Sequence, residues 1–190
     1  MSTLNRLAAA FDELHVRYLI GGSVASGLHG IGRTTFDVDI VARITPRQAD
    51  QLAATLGKEW YVDTETARTG IESGRSFNII HMKSGDKFDI FPAAGPFQQE
   101  QLTRAVTAPV EIGGEIANCP IATAEDILLA KLQWYQAGGE VSDRQWSDIL
   151  GIIAKTVDLD LEYTRRWASE LCCDSASHPR VQSALGLSRA

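Results

Sequence analysis

The sequence predicts an α/β (α+β) fold: a small mixed β-sheet with flanking helices over residues 1–120, followed by a helical C-terminal region over 121–190 packed on that core. Two patterns predict it. Up to Cys119, short β-branched and apolar runs alternate with amphipathic stretches of helical period, whereas beyond Pro120 three helical patterns follow one another without a strand between them. Size agrees, because 190 residues fit one domain, or one domain with a helical appendage, when a core takes about 100–200 residues.

Each element has a local reason. Leu4, Leu7, Ala8, Phe11 and Leu14 recur on one helical face and predict a helix from Thr3 to Leu14. Val16 to Ile20 is a compact apolar run that stops at Gly21-Gly22, as a buried strand ending in a tight turn would, and Ser23 to His29 reads as a short helix broken by Gly30-Ile31-Gly32. Phe36 to Ala42 alternates strictly, with Asp37 and Asp39 on one side of a strand and Val38 and Ile40 on the other. Thr45-Pro46-Arg47-Gln48 combines a capping box with Pro at the first helical position, starting a helix that runs to about Gly57.

The next stretch, Lys58 to Gly74, reads as irregular, with a weak strand around Trp60 to Val62 and a loop from Thr64 onward. Phe77 to Met82 and Lys87 to Phe91 flank the turn Lys83-Ser84-Gly85-Asp86, a hairpin that sets Asp89 on a central strand. A short helix near Phe97 to Arg104 and a hairpin from Ala105 to Ile116 around Gly113-Gly114 complete the mixed part. Thr123 to Gln136, Ser142 to Lys155 and Asp158 to Leu171 are three helices. The second opens with a Ser142/Gln145 capping box and buries Trp146, Ile149, Leu150 and Ile153. Residues after Leu187 read as a frayed end.

Composition narrows the function. Hydrophobic residues make up 44% and charged residues 22%, enough to bury a core without invoking disorder. Eighteen basic against 24 acidic side chains leave a net −6, which disfavours bulk DNA binding but leaves room for a basic pocket around a triphosphate or an RNA end. Three cysteines, Cys119 with the adjacent Cys172 and Cys173, make neither an even disulfide framework nor a metal-binding pair, and read as reduced thiols. The first residues, with Arg6, Asp12 and Glu13, form neither a signal peptide nor a membrane span, so the expectation is a cytoplasmic protein with no membrane partner.

The chemistry concentrates around Asp37 and Asp39. On an otherwise apolar strand their carboxylates project from the same side, roughly 6–7 Å apart at Cα, and paired like charges need a cation. An arbitrary D-x-D is more often a solvent-facing edge. Here, however, Gly21-Gly22-Ser23 closes one strand and opens a helix, offering backbone N–H groups and a hydroxyl to phosphate oxygens. A third acid, Asp89, stands between Phe88 and Ile90, where an unpaired carboxylate would cost several kcal/mol. Three convergent carboxylates suit Mg²⁺ or Mn²⁺, which would align a triphosphate for in-line attack.

The run Tyr18-Leu19-Ile20-Gly21-Gly22-Ser23, then Leu28-His29-Gly30, then Arg33-Thr34-Thr35-Phe36-Asp37-Val38-Asp39 resembles the signature of the DNA polymerase β-like nucleotidyltransferase superfamily. It is most similar to the AbiEii-type branch of toxin–antitoxin and abortive-infection systems. The resemblance extends loosely to Asp89 and to Thr123 through Leu150, about 150 residues in all. It implies a nucleotidyltransferase fold and Mg²⁺-dependent transfer of a nucleoside monophosphate from an NTP to an RNA end, a protein or a small molecule, with a cognate toxin or antitoxin as a further partner. It also implies that the catalytic acids Asp37 and Asp39 bind metal, that Asp89 binds metal or activates the acceptor hydroxyl, and that Ser23 holds the triphosphate, while Gly21, Gly22, Arg33 and Lys131 are further nucleotide-binding candidates. Gln145 stands where related enzymes often carry Asp, and its capping role accounts for it.

Several residues keep two readings. Lys131 falls on the apolar side of its helix with Ile127, Leu128, Trp134 and Tyr135, and either meets a phosphate or snorkels. Arg33 either contacts phosphate or tethers its loop. Asp148 lies nearly opposite the stripe of Trp146 and Leu150, so it is either exposed or part of a site. His15, His29, His81 and His178 show no metal or triad spacing, the tryptophans at helical positions read as core, and no Lys follows Gly27 to make a P-loop. Two rivals remain: a non-catalytic, antitoxin-like partner that keeps the fold, and an aminoglycoside-type small-molecule modifier.

Overall fold

A computed structural model of the chain describes residues 2–29, 37–112, 114–139 and 141–171. Expectations for Gly30 to Phe36, including Arg33, for Gly113, for Cys172, Cys173 and His178, and for the C-terminal end fall outside these residues. The described residues form two compact units, one drawn from Met1–Val24 and Thr34–Ala122 and the other from Ala25–Arg33 and Thr123–Ala190. Among them no helix is long and apolar enough to cross a membrane.

The first unit is built on one seven-stranded mixed sheet. Its strands are β1 (Arg17–Ile20), β2 (Asp37–Arg43), β3 (Trp60–Val62), β4 (Phe77–His81), β5 (Lys87–Pro92), β6 (Val106–Ile112) and β7 (Glu115–Ile121), in the order β3-β4-β5-β2-β1-β7-β6. The pairs β2/β5 and β1/β7 are parallel and the rest antiparallel. Helices α1 (Thr3–Glu13) and α3 (Pro46–Leu56) pack on each other, and α3 packs on α4 (Thr64–Ser73). Leu7 and Phe11 of α1 and Leu52 of α3 share one core with Val38, Ile40, Phe88 and Ile90 of the central strands. Burying large side chains completely, at about 1.5–3 kcal/mol each, is what fixes the strand faces. The Thr45/Gln48 capping box forms as the sequence predicts.

α4 corrects the expected loop over Thr64 to Gly74. Asp63 caps it by accepting from the backbone N–H groups of Glu65 and Thr66, and Gly74 ends it in the left-handed region. Its fully buried face consists of Ala67 and Gly70, too small to register as an apolar stripe. A short helix α5 (Pro96–Arg104) packs on β1 and β2, where the Arg17 guanidinium donates to the Leu102 carbonyl at 2.9 Å.

The second unit contains α6 (Ala124–Ala137), α7 (Asp143–Lys155) and α8 (Leu161–Glu170), with α7 and α8 each packed on α6. Two expectations shift here. Trp134 is 61% exposed, because the buried stripe of α6 runs through Leu128, Leu132 and Tyr135 and leaves it aside. In α7 the buried face is Asp148, Ile149 and Ile152, so Leu150 is exposed and Asp148 is inside. The face is turned about one residue from the expected stripe, because Asp148 reaches Lys131 of α6. Ser142 caps α7 by accepting from the Gln145 N–H, but the reciprocal half of the box is absent. The Gln145 Oε1 is buried with no hydrogen-bond partner among the described residues.

One titration follows from the core of the first unit. Burial pushes up both the Cys119 thiol and the Tyr18 phenol. Both groups therefore stay protonated in the folded chain at pH values where the unfolded chain has lost the protons. Stability should be full below about pH 8.5, the unfolded thiol value, and fall as pH rises past it. Urea denaturation between pH 7 and 10 should show the midpoint falling, and Cys119→Ala should flatten the part of the fall nearest pH 9. An unchanged profile in that variant would refute burial of an ionisable thiol as its cause.

Candidate active site on the polar face of the sheet

Strand register places the acids. Side chains alternate along a strand, and directly paired residues share a face. Val38, Ile40 and Ala42 enter the core, so Asp37 and Asp39 occupy the opposite face of β2. In the parallel β2/β5 ladder Asp37 pairs with Lys87 and Asp39 with Asp89, and on the other side of β5 Asn78 of β4 pairs with Asp89. The three predicted acids therefore do share one face on adjacent strands. Their exposure is graded, with the Asp37 side chain 56% exposed, Asp89 18% and Asp39 half-buried.

The glycine turn meets this cluster. β1 and β2 are antiparallel, with Ile20 opposite Ile40, so the chain leaving β1 passes Asp39, and the Gly21 N–H donates to the Asp39 carbonyl at 2.9 Å. Gly22 follows with φ +53°, a conformation that favours glycine. A Cβ there would lie 1.6 Å from Asp39 Oδ2 and 2.7 Å from Asp39 Cβ, so the carboxylate occupies the space that any other residue's side chain would fill. Gly22 also starts α2 (Gly22–His29), whose first turn holds the half-buried Ser23. Backbone N–H groups at a helix start, a hydroxyl and a carboxylate thus converge on one turn, an arrangement that suits a metal-bound phosphate.

Lys87 is the residue that the sequence reading missed. Its Nζ donates to Asp89 Oδ2 at 2.9 Å and lies 3.9 Å from Asp37 Oδ1. The hydrogen bond to Asp89, with the charges of Asp37 and Asp39 adding to it, holds the Lys87 ammonium above its ordinary range. A signal was available in Lys87-Phe88-Asp89, since residues two apart on a strand share a face. That Lys87 also falls opposite Asp37 depends on the β2/β5 register.

The donor set fits a hard divalent ion, because carboxylate oxygens are what Mg²⁺ and Mn²⁺ take. As the side chains stand, no group of three or more His, Cys, Asp or Glu among the described residues closes around a metal position. Among the described residues, the Lys87 ammonium lies against Asp89 and near Asp37. Lys131, of the helical unit, has its own anion: its Nζ donates to Asp148 Oδ2 at 2.8 Å, and both side chains are largely buried. In the same unit the Tyr163 hydroxyl donates to the buried Asp126 at 2.6 Å, and Glu125 accepts from the Asp160 N–H.

The sheet order and its helices define a nucleotidyltransferase fold. The chain aligns with an antigenic nucleotidyltransferase-like protein from Paracoccidioides brasiliensis over 97% of its own length and 91% of that chain, at 20% identity and a TM-score of 0.52. It also aligns with the antibiotic-resistance factor ANT(2'')-Ia in solution over 95% of each chain, at 17% identity and a TM-score of 0.51. At these identities the likeness establishes the fold. No protein-family model and no curated protein matches the sequence.

The two glycines should behave differently. Gly22→Ala combines a left-handed φ with an overlap on Asp39 and should lower stability by about 2–4 kcal/mol. Gly21→Ala has open space around the added methyl and should stay within about 1 kcal/mol of the parent. Urea denaturation of both variants checks this, and equal costs would contradict the close approach at Gly22.

Proposed function

We propose that the chain is a metal-dependent nucleotidyltransferase that moves a nucleoside monophosphate from an NTP to an acceptor hydroxyl. The observation that carries this reading is the set Asp37, Asp39 and Asp89 on one sheet face, with Asp39 pressed against the glycine turn that opens α2, in a nucleotidyltransferase fold. Asp37, Asp39 and Asp89 would hold Mg²⁺ or Mn²⁺. When bound, the ion would neutralise charge developing on the phosphoryl oxygens. Ser23 and the backbone at the start of α2 orient the triphosphate through N–H and O–H donors.

The acceptor oxygen attacks the α-phosphorus while the bond from that phosphorus to the bridging oxygen breaks, and pyrophosphate departs. The acceptor's proton passes to the Asp89 carboxylate, which is less exposed than Asp37 and stands opposite Asp39. The rate comes mainly from positioning and charge complementarity.

Two observations bear on the acceptor class. Similarity to ANT(2'')-Ia, described as an antibiotic-resistance factor, together with a net charge of −6 favours a small cationic molecule of the aminoglycoside kind. The AbiEii-like motif favours an RNA end or a protein, with a toxin–antitoxin partner. Labelled-NTP incorporation onto aminoglycosides, RNA and protein, each with Mg²⁺ and with Mn²⁺, separates these.

In that assay Asp39→Asn and Asp89→Asn should each lose about 10²–10³-fold or more in turnover with the fold retained by circular dichroism. Normal turnover by a folded Asp37→Ala/Asp39→Ala double variant would defeat the proposal. NTP binding without transfer to any acceptor would favour the antitoxin-like reading.

A further inference from the structure

We propose that Lys87 is an internal counter-cation that competes with the divalent ion for the same carboxylates, so that the ion binds only by displacing it. This rests on the metal-site reading above and deepens it.

The acids on this face repel one another. Asp39 and Asp89 are direct partners in a parallel ladder, and like charges directly opposite each other on a sheet destabilise it. Asp37 adds a third negative charge on the same face, and the folded chain must offset these charges when no ion is present. Lys87 is placed for that by strand geometry alone. It lies two residues before Asp89, hence on the same face, and its register partner on β2 is Asp37. Its Nζ therefore touches one strand's acid at 2.9 Å and approaches the other's at 3.9 Å.

The side chain also has the means to leave. A lysine carries a compact charge on a flexible four-carbon stem, and this one is 33% exposed. Contrast Lys131, which is 14% exposed and paired with a 6%-exposed Asp148, a pair enclosed by its helices. Lys87 thus makes an ion pair at the rim of the site, tight in distance and open to solvent. Each departure of Lys87 removes one positive charge from beside Asp89 and Asp37, and so raises the attraction of these carboxylates for an incoming ion.

The test is Mn²⁺ binding to the full chain without nucleotide, followed by electron paramagnetic resonance of the free ion and by calorimetry. Lys87→Met should bind Mn²⁺ about tenfold or more tightly than the parent, while Lys87→Arg, which keeps the charge, should remain within about threefold of it. The metal-free Lys87→Met protein should melt at lower temperature than the parent and recover on adding Mn²⁺. Lys87→Gln serves as a second neutral variant should the Met form fold poorly.

Equal or weaker Mn²⁺ binding by the neutral variants, with binding by the parent that Asp39→Asn abolishes, would overturn the competition and leave the metal site standing. Absence of Mn²⁺ binding by parent and neutral variants alike would overturn the metal site and the competition with it.

Discussion

Two carboxylates facing each other across a pair of parallel strands set the terms for the rest of the first unit. Asp39 and Asp89 are held in register by the β2/β5 ladder, whose opposite face is locked into the core through Val38, Ile40, Phe88 and Ile90. A slip of one residue would carry the acids into that core and the apolar side chains out, so hydrophobic burial on one side enforces electrostatic repulsion on the other. What relieves the repulsion is a cation. Lys87 brings one such charge to Asp89 and Asp37, and in the proposed reaction a divalent ion held by the same acids would supply another.

The glycine turn serves the same constraint from the next strand. Because β1 and β2 are antiparallel, the end of β1 lies beside Asp39, and the chain must turn there to begin α2. Only a residue without a Cβ leaves room for the Asp39 carboxylate at that point. The position that permits the acid is therefore also the first residue of a helix whose N–H groups suit phosphate, linking the proposed metal and nucleotide sites through one backbone bend.

Much of this was legible in the sequence, for identifiable reasons. Alternation across Asp37 to Ala42 and the turn chemistry before Lys87 reveal the strands and put the acids on one side of each. Register is not legible, because it depends on side chains far apart in the chain, and with it Lys87 escaped notice. α4 escaped because Ala67 and Gly70 bury a helix face without large apolar residues. For Asp148 the sequence leaves exposure and a site role equally open, because helical spacing does not show the partner, Lys131 of α6, that it meets inside.

In the proposed reaction the three acids share one metal-bearing site with the nucleotide. Anomalous diffraction from crystals grown with Mn²⁺ and a non-hydrolysable NTP tests it directly. The account predicts a peak coordinated by carboxylate oxygens of Asp37, Asp39 and Asp89 and by phosphate oxygens, with Lys87 swung away from Asp89. Nucleotide bound elsewhere, or no peak at the acids while Lys87 remains on Asp89, would contradict it.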